Sequence, residues 1–332
     1  MLALLATLLI GGPSAEPGSA AGIAKLAIAQ RVVEGKAPGA ADFQTLKAGD
    51  EIEAGTTLRS KAGVQAAIDF SDATELRISE NTEILIESAR KLTIVQGRLY
   101  VRVLKGAAPF EIQTPLHPIS ADACVMDLTF IPRVTNGPPA LTTIMVLEGK
   151  AKAYSKKFSP FIFAGWVGSG FGAVLNTPDS IGNGSLSTAW VHSLLVERGK
   201  SDDEIATRTD ELISIMSNIT PNDPVEAALK SLGALAVPAL VRFMSRSDLP
   251  TQVERRAAAT RLLSEFVPLK SAKDLVGLLR HPEAEVRILA ARGLTRLAGG
   301  KDFGFNDGFW KGDARDAGLK AWEEWVKQNV KG

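Results

Sequence analysis

The chain has 332 residues, 45% of them apolar and 23% charged, with 38 Lys and Arg set against 37 Asp and Glu. That length supports two ordinary domains with their own cores, and the composition belongs to folded rather than disordered protein. A formal net charge of +1, without any run of Lys or Arg, gives no electrostatic ground for a nucleic-acid or anionic-membrane partner. A single cysteine, Cys124, excludes an intramolecular disulfide and a thiolate metal site, and His117, His192 and His281 lack zinc-motif spacing.

Met1 to Ile10 is an apolar run closed by Gly11-Gly12-Pro13. It falls short of the roughly 20 residues a spanning helix needs. It suits the hydrophobic region of a secretory signal, with Ser19-Ala20-Ala21 as small residues for cleavage, although no basic residue precedes it. Residues 1–21 are therefore expected to be a signal peptide or N-terminal hydrophobic segment, placing the protein in a periplasmic or extracytoplasmic compartment. No later segment reads as long and apolar enough to span a membrane.

The next stretch reads as short strands. Leu26 to Val33 is expected to be an opening strand before a loop at Gly35–Gly39, and Gly49-Asp50 a turn. Val64, Ala66, Ile68 and Phe70 share one face while Gln65 and Asp69 share the other, the period of a half-buried antiparallel strand. Asp72-Ala73-Thr74 turns the chain into Leu76-Arg-Ile78 as a hairpin. Strands follow around Ile84, Ile94, Val101 and Leu128, with a bulge or tight turn at Gly97. Thr143–Leu147 and Ala151–Tyr154 are expected to form a hairpin through Glu148-Gly149. Phe161 to Gly172 carries many glycines but no phosphate-loop spacing, and reads as a last strand leading into a flexible exit.

The succession Gly49-Asp50, Gly55-x-x-Leu58-x-Ser60, Phe70-x-Asp72, Thr82, Leu92-x-x-x-x-Gly97-x-Leu99, Phe110-x-Ile112-x-Thr114-Pro115 and Val146-Leu-Glu-Gly149 resembles a FecR-type domain, over about residues 26–166. The resemblance implies an extracytoplasmic β domain used in protein–protein signalling or surface recognition. Regulators of that family carry a cytoplasmic anti-sigma segment and a membrane helix ahead of the domain, and neither is read in this chain. Some members are thought to cleave themselves at a Gly-Thr pair after the Thr-Pro; Ala123-Cys124 stands in that slot. A thiol there could attack the preceding carbonyl. The alternative is that Cys124 is a small residue packed in a strand.

The last third reads as helices. Ser201-Asp-Asp-Glu204 has capping-box spacing ahead of Ile205, Leu212, Ile213 and Met216, and an earlier helix presents Trp190, Val191, Leu194 and Leu195. Asp223-Pro224 starts a helix with Val225, Ala228, Leu229 and Leu232 on one face. Val237, Leu240, Val241 and Met244 repeat that spacing, as do Ala272, Leu275, Val276 and Leu279. With Ala259, Leu262, Leu263 and Phe266 and with Val286, Leu289, Ala290, Gly293, Leu294 and Leu297 these form helix pairs of an α-solenoid. The phrase from His281 to Ala291 resembles a HEAT repeat, covering about residues 222–300. Arg287, with Arg255 and Arg256, is expected to pair with acids of a neighbouring turn. A terminal helix carrying Leu319, Trp322, Trp325 and Val326 caps the stack, with Phe303, Phe305 and Trp310 tucked against it.

The fold class is thus multidomain β + α: an antiparallel β sandwich, roll or β-solenoid of FecR-like type, followed by a HEAT-like α-solenoid. The expected divisions are 1–21, a β domain over 22–166, a Gly-rich linker and helical connector over 167–221, and the solenoid over 222–332. The function read from this is a non-enzymatic protein-recognition, scaffold or accessory signalling protein of the cell envelope. Its partner is a protein, such as an envelope component or receptor, and not nucleic acid. No catalytic, cofactor-binding or metal-ligating residues are assigned and no cofactor is called for. The competing reading is a self-processing protein or hydrolase using Cys124, which requires Cys124, His117 and a carboxylate to share one cleft. A carbohydrate-binding module is disfavoured because the β half offers only Trp166 and two tyrosines as a platform.

Overall fold

The computed structural model describes residues 22–106, 108–156, 158–198, 203–216, 223–245, 255, 258–259, 261–263, 269–304 and 313–330. The N-terminal apolar run, Ser201, Arg256, Phe266, Phe305 and Trp310 lie outside the described residues.

The first half is a sandwich of two sheets that share one strand. The first sheet runs β4 (Glu51–Ile52), β1 (Ala24–Ala29), β6 (Ala66–Phe70), β7 (Glu75–Ile78), the second half of β9 (Lys91–Val103), β12 (Cys124–Ile131), β13 (Leu141–Glu148) and β16 (Trp166–Phe171). β17 (Val174–Leu175) and β18 (Asp179–Ser180) both pair with β16. The second sheet runs β3 (Gln44–Leu46), β2 (Val33–Lys36), β5 (Thr56–Ser60), β8 (Glu83–Ser88), the first half of β9, β10 (Phe110–Gln113), β11 (Ile119–Ala121), β14 (Lys150–Ala153) and β15 (Phe161–Phe163). The β9–β10 pair is parallel, which makes the second sheet mixed. Alternate residues of both sheets, among them Ile68, Leu99, Leu128 and Ile144 against Leu58, Ile84, Leu92 and Ile112, meet in one buried core.

The chain passes between the sheets at three places, two of which correct the expected strand pattern. Leu26 to Val33 is not one strand: Arg31, at φ +66°, turns the chain out of β1 in the first sheet, and Gly35 lies within β2 of the second. At Gly149, φ +73°, β13 ends and β14 begins, and the two belong to different sheets instead of forming a hairpin. A Cβ on Gly149 would stand 2.1 Å from the Ala123 carbonyl oxygen, so glycine is required there by close approach as well as by dihedral angle. At Gly97 the bulge, not the tight turn, of the two expected alternatives is present. The strand runs on through it, and the β8–β9 register slips between Glu83 and Ile84. Before Gly97 the strand pairs with β8 and β10, and after it with β7 and β12. The hairpin at Asp72–Thr74 is present, with Ala73 at φ +64° and the Thr74 amide donating to Asp72 Oδ1. The Gly-rich stretch supplies a strand to each sheet: β15 ends the second, and β16 lies in the first between β13 and the short strands β17 and β18.

The helical half contains α1 (Gly184–Ser187), a 3₁₀ turn at Ala189–Val191, α2 (His192–Arg198), α3 (Asp203–Ile215), α4 (Pro224–Leu232), α5 (Val237–Met244), α6 (Ala272–Leu278), α7 (Ala284–Leu297) and α8 (Asp313–Asn329). Asp223 caps α4 by accepting from the Val225 amide, with Pro224 in the first turn. The apolar faces of α4 to α8, with Ala259, Leu262 and Leu263, share one core that includes Trp322. Phe303 stacks edge-on against Trp322 at 4.6 Å between ring centroids. Among the described residues Arg287 pairs with no acid: its guanidinium donates to the carbonyls of His281 and Pro282, holding the turn ahead of α7.

One expectation about the membrane is corrected. Pro224–Met244 is, by length and composition, apolar enough to cross a bilayer. Gly233, at φ +55° and ψ −127°, separates α4 from α5, and Leu229, Leu232, Val237 and Leu240 are fully buried in the helical core. Its apolarity is accounted for by packing within the protein.

A Cβ at position 97 would lie 2.3 Å from Thr82 Oγ1 and 2.5 Å from Thr82 Cα, and φ there is +106°. Gly97→Ala is therefore expected to lower the unfolding free energy by about 2 kcal/mol or more, from steric and dihedral strain together. Chemical denaturation of the two proteins checks this.

Candidate functional site

The outer face of the first sheet is built from the residues that alternate with its core. Arg77 on β7, Arg98, Tyr100 and Arg102 on β9, and Asp127 on β12 all project there, and the ladder sets Tyr100 beside Arg77 and Asp127. A bare sheet would leave these groups in water. Helices α1 to α3 cover them instead, through apolar contacts of Val191, Leu195 and Ile205 with Tyr100 and Val125, and of Leu194 with Ile28 and Ala67. That cover explains why Ala67 is buried although the alternation of β6 assigns it to the outer face.

Glu204, in the first turn of α3, stands at the centre of this junction. Arg77 donates to both its oxygens at 3.0 and 3.2 Å, and the Tyr100 hydroxyl donates at 2.8 Å. Arg208 reaches it at 3.0 Å and Arg102 at 2.8 Å. Burial opposes the Glu204 charge, but Arg77, Arg208 and Arg102 outweigh it and hold the carboxyl well below the usual carboxylate range. Burial likewise works against the Arg77 charge, and Glu204 reverses that effect, so its pKa is raised. Burial pushes the Tyr100 hydroxyl up to about 12. Around this centre Arg198 bridges Asp69 and Glu75, and Asp127 accepts from Arg98 and from the Trp190 indole. Burial raises the Asp127 pKa in spite of both donors. A cavity of about 190 Å³ beside Glu204 is lined by Tyr100, Leu147, Glu148, Ser185, Arg208 and Glu211.

Sequence reasoning assigned Glu204 only to a capping box and missed its partners. The available signal was the alternation Arg98-x-Tyr100-x-Arg102 on a strand whose other face is apolar: three polar groups in a row on one face call for solvent or a counter-charge. The identity of that counter-charge depends on a helix about a hundred residues later.

The Cys124 constellation is not assembled. His117 is buried with Nδ1 3.1 Å from Thr142 Oγ1, and Thr142 pairs with Phe130, six positions along β12 from Cys124. At the rise of an extended strand that separation is roughly 20 Å. Cys124 is itself buried, and burial, with a smaller contribution from Glu148, pushes its thiol up to about 12. His192, a second buried imidazole, has its pKa lowered to about 4 by burial and by Arg208. Among the described residues no group of three or more His, Cys, Asp or Glu could hold a metal ion.

The second surface is an exposed aromatic edge. Ile162 points into the core while Phe161 and Phe163 are 48% and 55% exposed, and Tyr154 and Phe158 are exposed beside them. Lys150 and Lys152, on the neighbouring strand β14, each place Nζ 5.5 Å from the centroid of the Phe161 ring, and Lys152 also lies 4.9 Å from that of Tyr154. The premise that the β half lacks exposed aromatics beyond Trp166 and the tyrosines is thus overturned, because phenylalanines supply them. Two ammonium groups occupy the Phe161 ring, which leaves it poorly suited to stacking a sugar. The helical half contributes a groove of about 690 Å³ between α6 and α8, lined by Val276, Val326 and Val330, by Lys270, Lys273 and Lys327, and by the paired Arg280 and Glu323.

Comparison with known proteins follows the β module. Residues 56–152 match the family described as FecR protein, under a third of the chain and the centre of the sandwich. Two crystal structures of a putative anti-sigma factor from Parabacteroides distasonis ATCC 8503 are similar at 12% identity, with a TM-score of 0.36. The match covers 41% of this chain and 64% of that one, and at this level the likeness does not extend to function. No curated protein matches the chain.

Two outcomes follow from the site. Glu204→Gln leaves three guanidinium groups around a neutral amide and is expected to cost about 3–5 kcal/mol of stability at neutral pH. Because the folded-state pKa of Glu204 is depressed, its contribution is complete above the ordinary value of 4.5 and is lost as pH falls below it. The gap in unfolding free energy between wild type and Glu204→Gln should therefore narrow in acid, as read by urea denaturation at several pH values. Cys124 should resist a thiol reagent at pH 8 in the folded protein and react once in denaturant, and the purified chain should run as one band. Rapid labelling, or two fragments that Cys124→Ala abolishes, would revive the self-processing reading.

Proposed function

We propose that this protein is a non-enzymatic recognition protein of the cell envelope, acting outside the cytoplasm as a scaffold or accessory signalling component. The observation that carries the reading is the FecR match over residues 56–152, which falls on a β sandwich with one face roofed by helices. FecR-type domains, by the resemblance set out above, serve extracytoplasmic signalling and surface recognition, so a protein partner is the natural ligand class. The helical half, read as a HEAT-like solenoid, adds a second surface through the groove between α6 and α8. The polar junction centred on Glu204 favours a fixed relation between the halves, so that one partner can touch both. The hydrolase alternative has no support from Cys124, whose thiol is buried and protonated and lies far from His117.

The immobilised full-length chain is expected to retain a defined protein from envelope extracts, and cell fractionation should find the chain itself outside the cytoplasm. A cytoplasmic location, or no specific retention across repeated extracts, would sink the proposal.

A further inference from the structure

The edge strand β15 has its hydrogen-bonding groups arranged in a way that says what it takes. Ala153 donates its amide to Pro160, and Ala164 donates to Gly149. These bonds frame the pairing of Ala151 with Ile162. Residues 160, 162 and 164 therefore direct their backbone groups toward β14, and by antiparallel alternation Phe161 and Phe163 direct their N–H and C=O groups away from it. Among the described strands none pairs with β15 on that outer side. The aromatic side chains of the same two residues stand exposed beside this open edge.

The charge at the edge has one sign. Lys150 and Lys152 belong to β14, and both ammonium groups lean over Phe161 on β15. Two like charges converge on one ring, and no carboxylate pairs with either lysine among the described residues. An anion brought from beyond the edge would relieve their mutual repulsion.

We propose that β15 is a strand-addition site for an extended, acidic segment of a partner protein. The segment lies alongside β15 and hydrogen-bonds to the backbone of Phe161 and Phe163. It packs apolar side chains on the two phenyl rings at alternate positions and brings a carboxylate to Lys150 and Lys152. This rests on the recognition function above and names the surface and partner chemistry that function uses. A second copy of the chain is disfavoured as the occupant, because its own β15 would bring further lysines to a site already rich in positive charge.

The test selects random twelve-residue peptides displayed on phage against the immobilised full-length chain, then measures a selected synthetic peptide by fluorescence anisotropy. Enriched sequences should alternate apolar residues with Asp or Glu. Lys150→Glu with Lys152→Glu, and separately Phe161→Ala with Phe163→Ala, should weaken binding at least tenfold while circular dichroism stays unchanged. N-methylation of alternate peptide nitrogens should abolish binding in one parity and spare it in the other, a readout of strand addition that leaves the protein unaltered. Basic or patternless peptides, equal binding by the variants, or no effect of N-methylation would overturn the inference. So would a dimer, seen by analytical ultracentrifugation, that the phenylalanine variants dissociate. If an envelope protein is retained equally by wild type and the lysine variant, this inference fails while the recognition function stands; if wild type retains none, that function fails whatever the peptides do.

Discussion

The buried carboxylate of Glu204 is the constraint on which the arrangement of this protein depends. Burying one anion costs several kcal/mol, and burying Arg77 beside it costs as much again, unless the two are paired and their remaining hydrogen-bonding capacity is met. Arg208, Arg102 and the Tyr100 hydroxyl meet it. These partners come from two strands and a helix, so neither half of the chain can satisfy the cluster alone. An apolar interface of similar area tolerates sliding. A bidentate guanidinium contact, with a second ion bridge from Arg198 to Asp69 and Glu75 nearby, has one geometry.

The same junction divides the sandwich into a covered sheet and an open one. The helices following the last strand take the outer face of the first sheet, and the edge strand β15 of the second is left uncovered by them. The aromatic residues of β15 and the lysines of β14 therefore stand on the side that the helices leave open. Phe161, Ile162 and Phe163 show how little chain is needed: one residue anchors the strand in the core, and its two neighbours carry both the exposed rings and the open backbone groups.

Much of this was legible in the sequence. The alternation of Val64 to Phe70, the turn at Asp72–Thr74 and the helical spacing from Val225 to Leu232 each follow from a local period and local turn chemistry, and each is where that period places it. The errors share a cause. Leu26–Val33 and Glu148-Gly149 read locally as one strand and one hairpin, whereas at both the chain leaves one sheet for the other, as it also does at Gly97, where the expected bulge is present. Passing between sheets preserves the alternation while changing every partner, so the pattern of residues does not register it.

What the sequence by itself determined is the kind of elements, their order, and which side chains turn inward, because those depend on periods of two and 3.6 residues and on glycine's access to positive φ. The tertiary structure alone decided what the outward residues meet. Arg77, Tyr100 and Arg102 on one strand face, and Phe161 and Phe163 on another, follow the same alternation of inward and outward positions. The first group is roofed by a helix bearing its counter-charge, and the second is left open at the end of a sheet. Such pairing depends on long-range register and on which element packs on which face, and neither is written into any local window of residues.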